Sequence, residues 1–419
     1  MGNMAKKNDI LVIGGGAVGV AVAYYLAGQN RDVTLVEKNE ICSGSSYGNA
    51  GLIYCQNPIP MATPGVIMQS LKWIMDSKGP LYIKPRLDLD LIKWLLRFRK
   101  ACKEKNMRRT IELTIEMRNI SKGLIADFTE KNHKAFTWEN KGRLILYRTK
   151  EGLDEAQNDL KLLGDYGITP ELLDHAGVKK KVPGISPNVL GAIYYADYSH
   201  VKPDCYVKAL ARLGEERGVN IITGTEVIGF ETKQNKIKTV YTTRGDFQPD
   251  QVILSAGSYS PIISKDLGVK VPIQPAKGYS VTVKKPPNAP DLPVHLAEGR
   301  VAVTPMADYL RYSSNLELVG YDTSINHKRI RAATQTVNEY LTGMENPELI
   351  EIWSGFRPNT PDTLPIIERN DRYENLILAT GHDMLGMTNS MITGLLVSQI
   401  VAGVPTEMNI DPFRLSRFS

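Results

Sequence analysis

The stretch that decides the fold is DILVIGGGAVGV, residues 9–20. We predict that residues 9–13 form a buried parallel strand, that Gly14 to Gly19 form a tight turn, and that a helix of small and apolar residues spans Ala17 to Ala27. A second strand is expected over Arg31 to Glu37. The pattern therefore predicts a βαβ unit at the start of an α/β domain.

The turn carries the Gly-x-Gly-x-x-Gly spacing of a dinucleotide-binding fingerprint, at Gly14, Gly16 and Gly19. The first glycine permits the turn, the second lets the backbone approach a pyrophosphate, and the third packs the helix against the strand. The N-terminus of the helix attracts phosphate charge. Glu37, at the end of the second strand, is expected to accept hydrogen bonds from the adenosine ribose. The alternative is a glycine-rich turn without a ligand.

The fingerprint alone does not distinguish NAD from FAD. A loop of small residues follows the second strand, with Ser43-Gly44-Ser45-Ser46 and then Asn49-Ala50-Gly51. An elongated FAD would need hydroxyl donors and close backbone approach at this position, so the loop favours FAD. A surface loop rich in Ser and Gly is the alternative.

A second candidate cofactor segment is GHDMLGMT, residues 381–388, which leads into a predicted C-terminal helix over Met387 to Val401. A reduced flavin becomes anionic near N1 and the C2 carbonyl. The N–H groups and the positive dipole end at the start of a helix would stabilise that charge. An ordinary loop before an apolar helix would have the same pattern.

Arg357 lies among turn-forming residues in the segment GFRPNTPD, residues 355–362. A planar guanidinium binds a carboxylate through two parallel hydrogen bonds and so fixes its orientation. We therefore predict that Arg357 binds the carboxylate of a substrate. A surface or domain-packing arginine is the alternative.

Length and composition limit the remaining possibilities. The chain has 419 residues, which favours two domains or one large α/β unit with an insertion, and its formal charge of +6 comes without a nucleic-acid-binding module. The four cysteines lack metal-ligand or disulfide spacing, so no metal site is expected. No secretory signal or transmembrane helix is apparent, and we expect a cytoplasmic protein or one attached to the cytoplasmic face of a membrane.

Segments with an α/β pattern alternate along the chain with a helical, basic region and a strand-rich region, which predicts that the α/β domain is interrupted twice. An antiparallel sheet with one covered face is expected where Tyr279, Val281 and Val283 alternate with polar residues. We assign residues 1–72, 196–270 and 350–419 to the dinucleotide-binding domain, and residues 73–195 and 271–349 to an inserted α+β substrate domain.

Over nearly its whole length the sequence resembles the D-amino-acid dehydrogenase branch of the FAD-dependent D-amino-acid oxidase and glycine oxidase superfamily. The resemblance is carried by the fingerprint, by the Gly-Phe-Arg-Pro segment and by these further stretches: Asn49-Ala50-Gly51, Ala62-Thr63-Pro64-Gly65, Leu71-Lys72-Trp73, Gly142-Arg143-Leu144, Ala256-Gly257-Ser258-Tyr259-Ser260, Lys277-Gly278-Tyr279-Ser280 and Gly381-His382.

The resemblance implies a Rossmann-type FAD-binding domain that holds FAD without a covalent link. Covalently flavinylated sarcosine oxidases carry a C-terminal cysteine, whereas this chain has none after Cys205. The implied cofactor-binding residues are Gly14, Gly16, Ala17, Val18, Gly19, Glu37, Lys38, Ser43, Ser45, Ser46, Asn49, Ala50, Gly51, Leu52, Val227, Ala256, Gly257, Gly381, His382, Met384, Leu385, Gly386, Met387 and Thr388.

The resemblance also implies oxidative deamination of a small D-amino acid, with Arg357 on the substrate carboxylate. Tyr279 and Tyr54 are candidate catalytic residues that would line the pocket or donate a hydrogen bond to the substrate carboxylate, with packing as the alternative. His200 is expected in a loop, with a place near the domain junction as the alternative. D-proline, D-hydroxyproline, glycine and sarcosine remain alternative substrates. A non-catalytic flavoprotein subunit of a dehydrogenase complex is the alternative of a different class.

Bacterial members of this branch are generally associated with the inner membrane and pass electrons to quinone rather than to oxygen. One candidate membrane surface is an amphipathic basic helix. Its apolar residues would be Leu91, Ile92, Trp94, Leu95 and Phe98, flanked by Lys93, Arg97, Arg99 and Lys100. A domain-packing helix with a solvated charged face is the alternative.

Overall fold

The computed structural model describes residues 6–54, 57–75 and 79–419, with the side chains of residues 6–8, Tyr54 and Lys72 left out of the description. Its strands are β1 (Lys6–Ile13), β2 (Val33–Val36), β3 (Leu52–Tyr54), β4 (Leu81–Ile83), β5 (Trp138–Glu139), β6 (Arg143–Tyr147), β7 (Glu171–Asp174), β8 (Gly191–Tyr195), β9 (Tyr198–Val201), β10 (Asn220–Ile222), β11 (Val227–Lys233), β12 (Lys236–Thr242), β13 (Phe247–Leu254), β14 (Gln274–Lys284), β15 (Val294–Leu296), β16 (Val301–Met306), β17 (Tyr309–Leu318), β18 (Leu349–Asn359), β19 (Ile366–Arg369) and β20 (Leu376–Thr380). Its α-helices are α1 (Ala17–Ala27), α2 (Val66–Met75), α3 (Leu89–Ala101), α4 (Glu104–Lys131), α5 (Lys150–Gly164), α6 (His175–Lys181), α7 (Pro203–Glu216), α8 (Ser260–Lys265), α9 (His327–Tyr340) and α10 (Ser390–Ala402).

The first sheet has the strand order β10-β2-β1-β13-β12-β11, with β20 beside β13 and β19 beside β20. β1 lies between two parallel neighbours, β2 and β13, and β20 extends the parallel part. The carboxyl ends of parallel strands meet at one edge of a sheet, where α/β proteins bind their ligands. The predicted βαβ unit is present, and α1 has the predicted bounds.

Helices α1 and α10 pack against each other beside this sheet. Both are apolar on nearly every side and mostly buried, which is typical of a helix enclosed within an α/β domain. Their close crossing requires a glycine, because a Cβ on Gly394 would lie 2.7 Å from the carbonyl oxygen of Ala21. The crossing fixes the start of α10 relative to the fingerprint turn.

The second sheet has the order β18-β14-β17-β16-β15-β6-β8-β7, with β4 beside β17. One face of this mainly antiparallel sheet is covered by α9, and Tyr279, Val281 and Val283 on β14 pack into that apolar layer. A small third sheet has the order β3-β9-β5. The predicted fold class is confirmed: a Rossmann-type domain with an inserted α+β domain that contains an antiparallel sheet.

The segment around Arg357 differs from the prediction, because it lies in a strand and not in a turn. Residues 349–359 pair with β14 along most of its length, and this ladder outweighs the turn preferences of Gly355 and Pro358. Since β18 is an edge strand, the missing N–H of Pro358 is tolerated. The chain therefore returns to the first sheet at β19 rather than at residue 350. The domain boundaries themselves remain a prediction.

Helix α3 packs inward through the residues that were predicted to face a membrane. Leu91 and Trp94 are buried in a cluster with residues of β14 and β17. The Trp94 indole N–H donates to the carbonyl oxygen of Asn359 at 3.0 Å, and its ring stacks on Phe98. The membrane-facing prediction is wrong for Leu91 and Trp94, because the helix anchors the end of β18.

A buried ionic cluster joins the second sheet to α9. Glu317 lies 3.3 Å from Lys277 and 3.3 Å from Arg329, and it accepts a hydrogen bond from the Tyr279 hydroxyl at 3.0 Å. All three charged side chains are less than 5% exposed. Glu317 therefore compensates two buried cations.

We predict that Glu317→Gln lowers the free energy of unfolding by about 3 kcal/mol or more, because removing one partner of a buried ionic cluster leaves uncompensated charge. Urea denaturation followed by circular dichroism measures the change. The matched control is Glu348→Gln, whose ion pair with Lys284 is exposed and whose loss should cost about 0.5 kcal/mol or less. Equal effects of the two substitutions would contradict the structural role of Glu317.

Candidate functional site

Four loops meet at the carboxyl ends of β1, β13 and β20. The Ser255 N–H donates to the Ile13 carbonyl oxygen at 2.9 Å, which joins the loop after β13 to the fingerprint turn. The Thr380 hydroxyl donates to the Gly257 carbonyl oxygen at 3.1 Å. The structure thus brings together residues 14–19, 255–257 and 381–388, and residues 43–52 lie against them, as described below.

The fingerprint turn fits a pyrophosphate. Gly14 has φ +113°, and a Cβ on Gly19 would lie 1.9 Å from the Gly14 carbonyl oxygen, so neither position accepts a side chain. A Cβ on Gly16 would come within 4 Å only of the Ser46 hydroxyl oxygen. The first turn of α1 has no acidic residue, and no side chain of its N-cap residue satisfies its N–H groups. Apart from the Ala17 N–H, which donates to the Ser46 hydroxyl oxygen, these N–H groups would stabilise an anion at this N-terminus.

Glu37 lies beside the turn at the end of β2. Its two carboxylate oxygens accept the N–H groups of Gly15 at 2.6 Å and of Asn39 at 2.9 Å. The neighbouring Lys38 forms an exposed ion pair with Glu226, directly before Val227 at the start of β11. The predicted adenosine-binding residues therefore lie together on one side of the turn.

The loop of residues 43–52 joins the fingerprint to the second sheet. The Ser46 hydroxyl oxygen accepts the Ala17 N–H at 3.0 Å, which leaves its hydrogen available to a phosphate. The Ser45 hydroxyl donates to the Phe356 carbonyl oxygen, and Ser43 is exposed. Gly51 has φ +71°, and its N–H donates to the Asn49 side chain at 2.7 Å. Ser45 is thus a structural contact rather than a free donor.

Arg311 on β17 fixes this loop, and the sequence analysis missed it. Its Nη1 donates to the carbonyl oxygens of Tyr47 at 2.7 Å and Asn49 at 3.2 Å, and its Nε donates to the Thr282 hydroxyl at 3.2 Å. Burial lowers the pKa of Arg311. The available signal was an arginine near the start of an otherwise largely buried strand, YLRYSSNLEL.

The loop of residues 381–388 is held from three sides. The His382 Nε2 lies 2.9 Å from the Thr393 hydroxyl, and burial lowers the pKa of His382 to about 3, so its ring is neutral. The Thr388 hydroxyl donates to the Leu52 carbonyl oxygen at 3.3 Å, and the Ser121 hydroxyl donates to the Thr388 carbonyl oxygen at 2.5 Å. Helix α10 begins at Ser390, after the loop. These contacts place the two proposed flavin loops side by side.

Arg357 lies on the face of the second sheet opposite to α9. Its Nη1 donates to the Asn315 carbonyl oxygen at 2.9 Å, its one hydrogen bond within the described part of the chain. A Cβ on Gly278 would lie 2.1 Å from that Nη1, so the guanidinium occupies space left by a glycine. The remaining N–H groups are available to a ligand.

Asp383 lies in the predicted cofactor segment 381–388, but the sequence analysis gave this residue no role of its own. It is 7% exposed, and within the described part of the chain its Oδ1 has no hydrogen-bond partner. Burial raises the pKa of Asp383 to about 7, against the opposing effect of the Arg357 charge. Its N–H donates to the Pro358 carbonyl oxygen at 3.2 Å, directly after Arg357. The two charged groups are therefore neighbours.

The other predicted pocket residues lie elsewhere. Tyr279 faces α9 and donates to Glu317, so the prediction that it lines the pocket is corrected to the packing alternative. The side chain of Tyr54 lies outside the described part of the structure. His200 lies in β9, not in a loop, and pairs with Leu52; neither ring nitrogen has a hydrogen-bond partner among the described residues. Burial lowers the pKa of His200 to about 4.

Comparison with known proteins agrees with this geometry. A protein named D-amino acid dehydrogenase from Granulibacter bethesdensis is 30% identical over 416 residues, which cover 98% of this chain and 99% of that protein. One of the same name from Helicobacter pylori strain 26695 is 31% identical over 413 residues, or 98% and 99% of the two chains. The structure of glycine oxidase from Geobacillus kaustophilus has the same fold, with a TM-score of 0.79, 22% identity and coverage of 98% and 99%.

The family model DAO, described as FAD dependent oxidoreductase, matches residues 9–400. This match spans the fingerprint turn, both flavin loops and Arg357. The chain therefore belongs to the DAO family of FAD-dependent oxidoreductases.

Proposed function

We propose that this oxidoreductase removes a hydride from the α-carbon of a small D-amino acid, and that the resulting imino acid is hydrolysed by water to a 2-oxo acid and ammonia. The observation that carries the proposal is Arg357, a guanidinium with unused donors beside both flavin loops. The two relatives described above are named D-amino acid dehydrogenase, which supports this substrate class.

FAD supplies the hydride acceptor when it is bound. The side chain of Arg357 is held at one end by the Asn315 carbonyl oxygen, so its plane is fixed before a substrate arrives. A carboxylate that binds this plane through two hydrogen bonds has a fixed orientation, which aligns the α-C–H bond for transfer. Arg311 and Ser45 keep the loop of residues 43–52 against the second sheet, so that this alignment is maintained.

Two alternatives share parts of this site. D-proline, D-hydroxyproline, glycine and sarcosine all carry the carboxylate that Arg357 would bind, so this residue does not select among them. A non-catalytic flavoprotein subunit would have no use for a buried cation with free donors. Reduction of the flavin under anaerobic conditions by a panel of D- and L-amino acids separates these possibilities.

We predict that the purified protein is yellow and that acid or heat releases intact FAD. The reason is that contacts at the fingerprint turn are non-covalent, and the chain has no cysteine after Cys205. Chromatography of the supernatant after denaturation measures the released FAD against a standard. Flavin that stays with the precipitated protein would contradict non-covalent binding.

We predict that Arg357→Lys lowers kcat/KM for the best amino acid by on the order of a hundredfold, because lysine keeps the charge but loses two-point alignment. FAD content should stay normal, which the absorbance ratio of flavin to protein measures. The matched control is Arg331→Lys on the exposed side of α9, which should behave as wild type. Unchanged kcat/KM in Arg357→Lys would place the carboxylate contact elsewhere.

We further propose that electrons leave to a quinone and that the protein contacts a membrane through α2 and α3. These helices expose large apolar side chains, of which only Ile92 belongs to the predicted set: Ile67, Met68, Leu71, Met75, Leu89, Ile92 and Leu96. Lys93, Arg99 and Lys100 lie beside them and are exposed, as in interfacial helices that bind anionic lipid. Within the described ranges, no helix is long and apolar enough to cross a membrane.

We predict that a soluble quinone analogue reoxidises the substrate-reduced enzyme much faster than air-saturated buffer does. Stopped-flow absorbance of the flavin measures both rates. Reoxidation by oxygen at a rate equal to turnover with quinone would identify an oxidase instead.

We also predict that the wild-type protein binds anionic lipid vesicles in a flotation assay and that the double variant Met68→Asp/Leu71→Asp does not. Equal flotation of the two proteins would remove α2 from the proposed surface.

A further inference from the structure

Arg357 and Asp383 form a pair of opposite charges that do not touch. Each shifts the pKa of the other, so they lie within electrostatic range. They do not form a direct ion pair, because no nitrogen of Arg357 lies within 4.0 Å of a carboxylate oxygen of Asp383. Beyond the bond from Arg357 to the Asn315 carbonyl oxygen and the bond from the Met384 N–H to Asp383, the Asp383 Oδ1 atom has no hydrogen-bond partner among the described residues.

A buried carboxylate is costly unless donors and positive groups compensate it, and at Asp383 the Met384 backbone N–H supplies one hydrogen bond while Oδ1 has no partner among the described residues. Elsewhere in this protein Glu317 is compensated by two cations. Among the described residues, Arg357 is the one opposite charge that acts on Asp383, and the adjacent His382 is neutral and bonded to Thr393. The described residues thus leave a cation, Arg357, and an anion, Asp383, near each other without a direct ion pair.

Asp383 also has a backbone conformation that a non-glycine residue seldom adopts. Its φ is +51°, in the left-handed region, and its N–H bond to Pro358 holds the loop beside β18. Such conformations concentrate at functional sites, although Asp tolerates this one better than most residues do. A glycine would adopt this backbone conformation more easily, but it would not supply a carboxylate at this position.

We propose that Asp383 binds the ammonium group of the amino-acid substrate and accepts one proton from it, while Arg357 binds the carboxylate. The inference rests on the proposed function, since it requires an amino-acid substrate. In the step, one N–H bond of the ammonium breaks, its electron pair stays on nitrogen, and a new O–H bond forms on the Asp383 carboxylate. The neutral amine then has the lone pair that assists departure of the hydride.

The charges around Asp383 determine the pH dependence. Burial disfavours the ionised carboxylate, Arg357 on β18 and the Met384 backbone N–H favour it, and the neutral His382 adds no charge, nor does Thr393 on α10. Because the raised pKa of Asp383 is about 7, the carboxylate is mostly protonated below this pH and cannot accept a proton. The reductive half-reaction of wild type should therefore slow as the pH falls through neutrality.

The test compares wild type with Asp383→Asn across pH, using the fastest of D-alanine, D-proline and glycine to reduce the flavin anaerobically. Asparagine keeps the shape and the left-handed conformation but cannot accept the proton. We expect the apparent second-order rate of flavin reduction to fall about a hundredfold at pH 7. Above the pKa of the free substrate ammonium the two enzymes should converge, because the amine arrives neutral. A purely structural defect would not disappear at high pH.

Propionate binding and the pH profile of a second variant separate loss of the proton acceptor from a structural defect. Propionate, which has the carboxylate but no amine, should bind Asp383→Asn at least as tightly as wild type when followed by flavin absorbance, whereas Arg357→Lys should weaken it. Asp383→Gly, which relaxes the backbone, should show the same pH profile as Asp383→Asn. The matched control, Asp371→Asn, removes a carboxylate that is 70% exposed and should leave the profile unchanged.

The outcomes separate this inference from the proposed function. If no amino acid reduces wild type, the proposed function fails and the role of Asp383 fails with it. If wild type is reduced and Asp383→Asn retains its pH profile, only the role of Asp383 is overturned. A changed flavin spectrum with an unchanged pH profile would likewise overturn it, because the carboxylate would then act on the cofactor.

Discussion

The architecture depends on the close approach of the backbone to itself between Gly14 and Gly19. A Cβ on Gly19 would lie 1.9 Å from the Gly14 carbonyl oxygen. Only glycine at position 19 therefore lets α1 start directly against the end of β1. That contact sets the position of α1, and α1 in turn sets the position of α10 through Gly394. Because α1, which follows β1, and α10, which follows β20, cross so closely, the two proposed flavin loops, residues 43–52 and 381–388, lie side by side.

The second sheet contributes to the site through its sidedness. Alternate residues of a strand point to opposite faces, so Gly278 and Tyr279 serve different layers although they are neighbours in sequence. The side toward α9 is filled by apolar residues and by the ionic cluster of Glu317. The other side carries Arg357 and Arg311, which contact loops of the first domain or remain open to a ligand. β14 thus borders a structural core on one face and the proposed substrate site on the other.

The sequence was sufficient for features that depend on local pattern. The βαβ unit, the alternation along β14 and the small-residue loops are all encoded within short windows, and the bounds of α1 were predicted to the residue. Features that depend on long-range pairing were not predictable in this way. The segment around Arg357 has turn-forming residues but is a strand, because it pairs with β14. The face of the sheet to which Tyr279 points is set by α9 and Glu317, which lie far from it in sequence. Asp383 is informative only once Arg357 is seen beside it.

Two buried carboxylates illustrate how structure and function differ in this protein. Burial raises the free energy of an ionised carboxylate in both places, whatever its role. At Glu317 the chain supplies two cations and a hydroxyl donor, so the charge is satisfied before any ligand binds. At Asp383 the nearest cation is held away, with one hydrogen bond to the Asn315 carbonyl oxygen, and the Oδ1 atom finds no donor among the described residues. The fold thus leaves the Asp383 carboxylate less well compensated than that of Glu317, and a zwitterionic amino acid carries the ammonium and the carboxylate that would complement Asp383 and Arg357.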